Sequence, residues 1–136
     1  MLTGAICGSV ERAISSANMT VADIGHVNAH GMSSITHDRI EAQAIRKVLG
    51  DVPVTAPKSF FGNLGAGTGS VEMAASILAF QEKQIPRTLN LEKLDPDCPI
   101  DVVHGQPREL GKPTALMLNQ ATTGQAVAVV VAAEGA

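Results

Sequence analysis

The sequence predicts an α/β layer fold, a mixed β-sheet covered by helices. Helical and strand periodicities alternate along the chain and finish in a hairpin. The last strand, Ala126-Val127-Ala128-Val129-Val130-Val131, is a continuous apolar run of the kind buried on both faces. A helical pattern at residues 67–84 carries Val71, Met73, Ala74, Ala75, Ile77, Leu78, Ala79 and Phe80 around most of its circumference. That predicts a central helix buried on nearly all sides.

In chain order, Ile6, Val10, Ala13, Ile14 and Ala17 recur at helical spacing and predict a helix over residues 4–18. Thr20 and Asp23 have the spacing of a capping box, with Asp in place of Glu or Gln, and mark one short turn. Residues 24–28 form a strand that leads into Ala29-His30-Gly31. Ile40, Ala44, Ile45 and Val48 place the next helix at residues 38–49, stopped by Gly50. Residues 52–55 are a second strand. Pro86 ends the central helix, a Pro- and Asp-rich connection occupies residues 89–99, and residues 100–103 are a short edge strand. Two strands close the chain at residues 115–119 and 126–132. There are no internal repeats. An α/β fold that opens on a helix points to a first strand outside the sequence, and an exposed sheet edge there predicts oligomers.

Composition narrows the function. The 136 residues are the size of one domain, or of half a larger one, and are 45% hydrophobic, with a core that must be aliphatic because aromatics are 2%. A net charge of -3 and the lack of a basic run exclude a nucleic-acid surface. No stretch reaches the roughly 20 apolar residues of a membrane span, and Met1-Leu2-Thr3 lacks the charged start of a signal peptide. Cys7 and Cys98 match no metal spacing and read as buried thiols in a reducing compartment, so the expected location is cytoplasmic.

The candidate site is Lys58-Ser59-Phe60-Phe61-Gly62-Asn63-Leu64-Gly65-Ala66-Gly67-Thr68-Gly69, a glycine-rich stretch between a strand and the central helix. It lacks the Gly-Lys-Ser/Thr of a phosphate loop and the spacing of a dinucleotide fingerprint, although a nucleotide-binding module is an alternative. His30, at the end of an apolar strand and followed by Gly31, sits where α/β folds place catalytic groups. Its imidazole suits proton transfer or hydrogen bonding to an oxygen that gains negative charge. A histidine in that place is equally a structural cap. His26, His37 and His104 read as surface or structural.

His30-Gly31-Met32-Ser33-Ser34 with Asp38 and Glu41 resembles the His-Gly-Thr-Ser-Thr…Asp-x-x-Glu motif of β-ketoacyl-acyl-carrier-protein synthases. Lys58-Ser59 followed by Gly62-Asn63-Leu64, Gly69 and Val71-Glu72 is similar to that family's Lys-Ser-x-x-Gly-His-Leu…Gly-x-Val-Glu segment. Thr88-Leu89-Asn90-Leu91 and Asp95-Pro96-Asp97-Cys98 resemble two stretches further on.

The resemblance implies the C-terminal half of a thiolase-like fold, with the nucleophilic cysteine on an N-terminal half that is absent here. It implies a decarboxylative Claisen condensation of a cysteine-bound acyl group with malonyl-acyl carrier protein, in fatty acid or polyketide synthesis. His30 then matches one of two imidazoles that stabilise the enolate. Lys58 matches a lysine that balances charge, and Glu72 a buried carboxylate of the same network.

The resemblance further implies that Ser34 keeps one of the family's two hydroxyl contacts to the pantetheine arm, where Met32 has lost the other. The family's Asn-Ser-Phe-Gly-Phe-Gly-Gly turn reads Asn119-Gln120-Ala121-Thr122-Thr123-Gly124-Gln125. Its main-chain N–H, at Thr123 beside Gly124, would serve a tetrahedral oxyanion, while both gating phenylalanines are lost. Asn63 replaces the second imidazole, and an amide donates a hydrogen bond but relays no proton; a cap on the central helix is its other reading.

No metal or diffusible cofactor is implied, since substrate rides on the carrier's phosphopantetheine. The implied partners are acyl carrier protein, the N-terminal half or another ketosynthase chain, and a second copy in a homodimer. Two alternatives follow from the altered positions: a non-catalytic partner subunit like a chain-length factor, and an acyl-transferring ketosynthase that no longer elongates.

Overall fold

A computed structural model describes residues 1–135. Helix α1 spans Leu2–Ser16, strand β1 His26–Asn28, α2 Ile35–Leu49 and β2 Pro53–Thr55. A single turn, α3, occupies Lys58–Phe61, and α4 covers Thr68–Glu82. Short strands β3 (Gln84–Ile85), β4 (Asp101–Val102) and β5 (Arg108–Glu109) precede the hairpin of β6 (Thr114–Gln120) and β7 (Ala126–Ala132). The main sheet runs β4-β2-β1-β6-β7, parallel except for β7, and β3 pairs with β5 in a small antiparallel sheet.

The alternation of side chains along a strand divides the sheet into two unlike faces. Val27, Ala29, Val54, Leu116 and Leu118 point to one face, where they join Ile6, Val10 and Ile14 of α1 and Ala44, Ile45 and Leu49 of α2 in the apolar core. The other face carries His26, Asn28, His30, Thr55 and Asn119, and α4 lies against it. Nδ2 of Asn28 donates to the Glu72 carbonyl at 3.0 Å and to Ser76 Oγ at 3.1 Å. His26 is buried with its ring edge-on to Phe80. Burial pulls the His26 pKa down to about 4.

The order of helices and long strands matches the sequence expectation, with ends moved by one to three residues. Thr20 and Asp23 form the expected local pair, the Thr20 N–H donating to Asp23 Oδ2 at 2.7 Å. Three burial expectations are corrected. The helix α4 buries only Thr68, Glu72, Ser76 and Ala79, while Val71, Met73, Ile77 and Leu78 are exposed, Leu78 to 55%. Its packed side is largely polar because the sheet face it meets is polar. Strand β7 is an edge strand, not a doubly buried one: Ala126, Ala128 and Val130 pack against the core, and Val127 stands 61% exposed on the other side. Cys7 and Cys98 are half-buried free thiols rather than fully buried ones. Turn α3 and the strands β3 and β5 went unread, being too short for periodicity to register. Among the described residues no helix is long and apolar enough to cross a membrane.

Gly25 positions the start of β1. Its N–H donates to the Thr114 carbonyl at 2.9 Å, and a Cβ there would lie 2.0 Å from the Lys112 carbonyl oxygen. Backbone, not a flexible side chain, must therefore move to admit alanine. Gly25→Ala is expected to cost about 2 kcal/mol or more, read as a lower urea midpoint at unchanged slope.

Candidate functional site

The site grows from the C-terminal ends of parallel strands β1 and β2, which is where α/β sheets leave a crevice. His30 follows β1 and is 6% exposed, and Lys58 opens α3 just after β2 at 5% exposure. Glu72 sits on the second turn of α4, fully buried. Lys58 Nζ forms a buried ion pair with Glu72 Oε1 and lies 3.3 Å from His30 Nδ1. The same Nδ1 is 3.3 Å from Asn119 Oδ1, and Asn119 Nδ2 donates to Glu72 Oε2 at 2.9 Å. His30, Lys58, Glu72 and Asn119 thus close a ring of contacts, and His30 Nε2 is buried with no hydrogen-bond partner among the described residues. Burial and then the Lys58 charge lower the His30 pKa, which keeps the imidazole neutral near pH 7.

The backbone of His30 is held from behind. Glu41 Oε1 accepts the His30 N–H at 2.7 Å and Oε2 accepts the Gly31 N–H at 3.0 Å. Burial outweighs these two bonds and raises the Glu41 pKa to about 7. Gly31 adopts φ +41°, and a Cβ on it would meet Ala56 Cβ at 2.9 Å, so the turn after His30 depends on glycine. Asp38 Oδ1 accepts the Met32 N–H at 3.1 Å, which ties the next residue to α2 as well.

Asn63 lies outside the buried ring and is exposed. Its Oδ1 accepts from the Gly65 N–H at 3.0 Å and from Thr68 Oγ1 at 3.1 Å. The oxygen is committed to the start of α4, and the amide N–H2 is the group left to interact elsewhere. A cavity of about 290 Å³ brings Asn63 together with Lys58, Gly31, Met32 and Ser33. The remaining sequence candidates are more distant. Ser34 caps α2, its Oγ accepting from the His37 N–H at 3.3 Å. Thr123 and Gly124 lie in the exposed β6–β7 turn, where the Gly124 N–H donates to the Ala121 carbonyl at 3.0 Å. Among the described residues no cluster of three His, Cys, Asp or Glu side chains could hold a metal ion.

Asn119 and Glu41 were passed over as site residues. Both stand in the matched motifs, Glu41 11 residues after His30 and Asn119 at the head of the last turn. Only the folded chain shows that each reaches His30.

A family model described as beta-ketoacyl synthase, C-terminal domain, matches residues 4–92. The 3-oxoacyl-[acyl-carrier-protein] synthase 2 of Mycobacterium leprae is 43% identical over 102 residues, 74% of this chain and 24% of that protein. The granaticin polyketide putative beta-ketoacyl synthase 2 of Streptomyces violaceoruber is 38% identical over 129 residues, 93% of this chain and 31% of that protein. Among solved structures, the ishigamide ketosynthase/chain length factor superimposes with a TM-score of 0.93 at 27% identity, over 98% of this chain and 34% of that one. The chain therefore spans about a quarter to a third of the length of the proteins it matches.

Two outcomes test the ring and its support. Lys58→Met leaves the Glu72 charge buried without its cation and is expected to cost about 3–5 kcal/mol in urea unfolding, most of it recovered in Lys58→Met/Glu72→Gln. For Glu41, a folded pKa of about 7 against 4.5 unfolded means stability that is full below about pH 4.5 and lost as pH rises through 7. Relative to Glu41→Gln, the parent chain should lose about 3 kcal/mol across that window, the shared His26 contribution cancelling in the difference.

Proposed function

The chain belongs to the β-ketoacyl synthase family through its C-terminal domain, and from that membership we propose that it forms the histidine- and lysine-bearing part of a 3-oxoacyl-[acyl-carrier-protein] synthase. The reaction is the decarboxylative condensation of an acyl thioester with malonyl-acyl carrier protein, and the cysteine that carries the acyl group belongs to the part of the enzyme that precedes this domain in the family. The observation that carries the reading is the buried contact set of His30, Lys58 and Glu72 at the strand ends.

Loss of carbon dioxide from a malonyl thioester leaves an enolate, and the barrier falls with stabilisation of its oxygen. His30 and Asn63 are the two groups that bind this oxygen. Lys58 and Glu72 act through His30 as positioning residues, Glu72 holding both Lys58 and Asn119 against the imidazole. Glu41 fixes the His30 backbone. Ser34 contacts the pantetheine arm, and the main chain at Thr123 and Gly124 serves the tetrahedral oxyanion. Acyl carrier protein is the substrate donor, the assembly is a dimer, the setting is cytoplasmic, and no metal or diffusible cofactor takes part.

The second reading is a partner subunit that keeps the fold without the chemistry. It is favoured by Asn63, whose oxygen is taken up by α4 and whose amide relays no proton. The chain joined to a cysteine-bearing N-terminal half of a relative, and supplied with acyl and malonyl thioesters of acyl carrier protein, separates the readings. Condensation with carbon dioxide release, lowered at least about 100-fold by His30→Ala, is the expected result. Acyl loading without carbon dioxide release would mean a non-elongating acyltransferase, and neither step would mean a partner subunit.

A further inference from the structure

Behind the histidine turn, on the side of the sheet away from α4, lies another cavity, of about 350 Å³. Its floor is Ala29, Ala42, Ile45 and Val54, each 4% exposed or less. Ile100 and Val102 form one side, and Leu91 and Leu94 of the connection after β3 form the roof. These walls are all this chain's own. Gly31, Ser33 and Thr88 line both this cavity and the one beside Asn63, so the turn that carries His30 borders the two. Arg39 latches the roof to α2, reaching Asp95 Oδ2 at 3.0 Å and Asp97 Oδ2 at 3.0 Å. Ion pairs as exposed as these hold weakly and are screened by salt.

The lining is aliphatic with a few polar groups, the usual make-up of a small-molecule site. Asp38 and Glu41, one turn apart on α2, are the carboxyls in it. Both already accept backbone N–H groups of the histidine turn. Burial raises the pKa of each, Glu41 to about 7. Such surroundings stabilise charge poorly, which favours an uncharged hydrogen-bond donor over a cation. The volume is more than twice the ~150 Å³ of an apolar cavity that binds benzene, and suits a body of two fused rings.

We infer that this cavity binds a small uncharged molecule with an apolar body and one hydrogen-bond donor. It enters beneath Leu94, where the latch is weak, and turns its donor towards the carboxyls of Asp38 and Glu41. Occupancy acts on the site from behind, because Glu41 holds the N–H groups of His30 and Gly31. The inference goes beyond the condensing reading and does not depend on it.

The probe is indole, two fused rings with one N–H. It is titrated into the chain, and into the chain joined to a cysteine-bearing N-terminal half of a relative, with methyl and amide NMR signals as the readout. Saturable shifts are expected at Ala42, Ile45, Val54 and the His30 N–H in both proteins. 1-Methylindole, which lacks the donor, should bind about tenfold more weakly. Ala42→Leu fills the floor and should abolish the shifts, and Ile100→Phe does so from the side if Ala42→Leu does not fold. Shifts that persist in a folded cavity-filling variant, or that are absent from the joined protein, overturn the inference. So does equal binding of 1-methylindole or tighter binding of benzylamine, a cation. A joined protein that binds indole yet condenses nothing would remove the condensing reading alone.

Discussion

The Lys58–Glu72 ion pair is the constraint on which the rest of the site depends. Both charges are almost wholly inaccessible to solvent, and removing either leaves the other buried without compensation. Satisfying them recruits the neighbours. Glu72 uses one oxygen for Lys58 and the other for Asn119, and Asn119 then has an oxygen to offer His30. The backbone of Glu72 is engaged as well, its carbonyl accepting from Asn28 and Ser76. One residue, through its carboxylate and its carbonyl, thereby ties α4, β1, β6 and α3 together, and the histidine orientation is a by-product of that satisfaction.

Much of this was legible before folding. The element order followed from alternating periodicity and from breakers such as Gly50 and Pro86. His30 stood out by its place at a strand end, whereas Lys58 and Glu72 were assigned through motif resemblance, since no single-residue property sets Lys58 apart from a solvated lysine. The faces were misread for a physical reason. An apolar sequence around α4 says that every side can be buried, but not which neighbour covers which side. Thr68, Glu72 and Ser76 recur at four-residue intervals and made the inward stripe visible in principle, yet a polar stripe normally reads as the solvent side. Strand β7 was misjudged likewise, because alternation of Ala and Val is uniformly apolar and hides a two-sided environment.

Asn119 and Glu41 escaped notice on different grounds. Asn119 is 89 residues from His30, and its partnership is made by the parallel register of β1 with β6, Asn28 opposite Met117. Glu41 sits seven residues into α2, where a carboxylate reads as an exposed helix former. Its burial follows from the turn at Gly31, which brings two backbone N–H groups to it.

The two unlike faces of the sheet also bear on the order in which the chain assembles. The α1–α2 side gains by excluding water from aliphatic groups, a gain available to loosely fitted contacts during collapse. The α4 side gains only when Asn28, Lys58, Glu72, Ser76 and Asn119 meet within hydrogen-bond distance, since half-made contacts leave stripped polar atoms. Docking of α4 is thus all-or-none and belongs late, on a sheet already backed by its aliphatic layer.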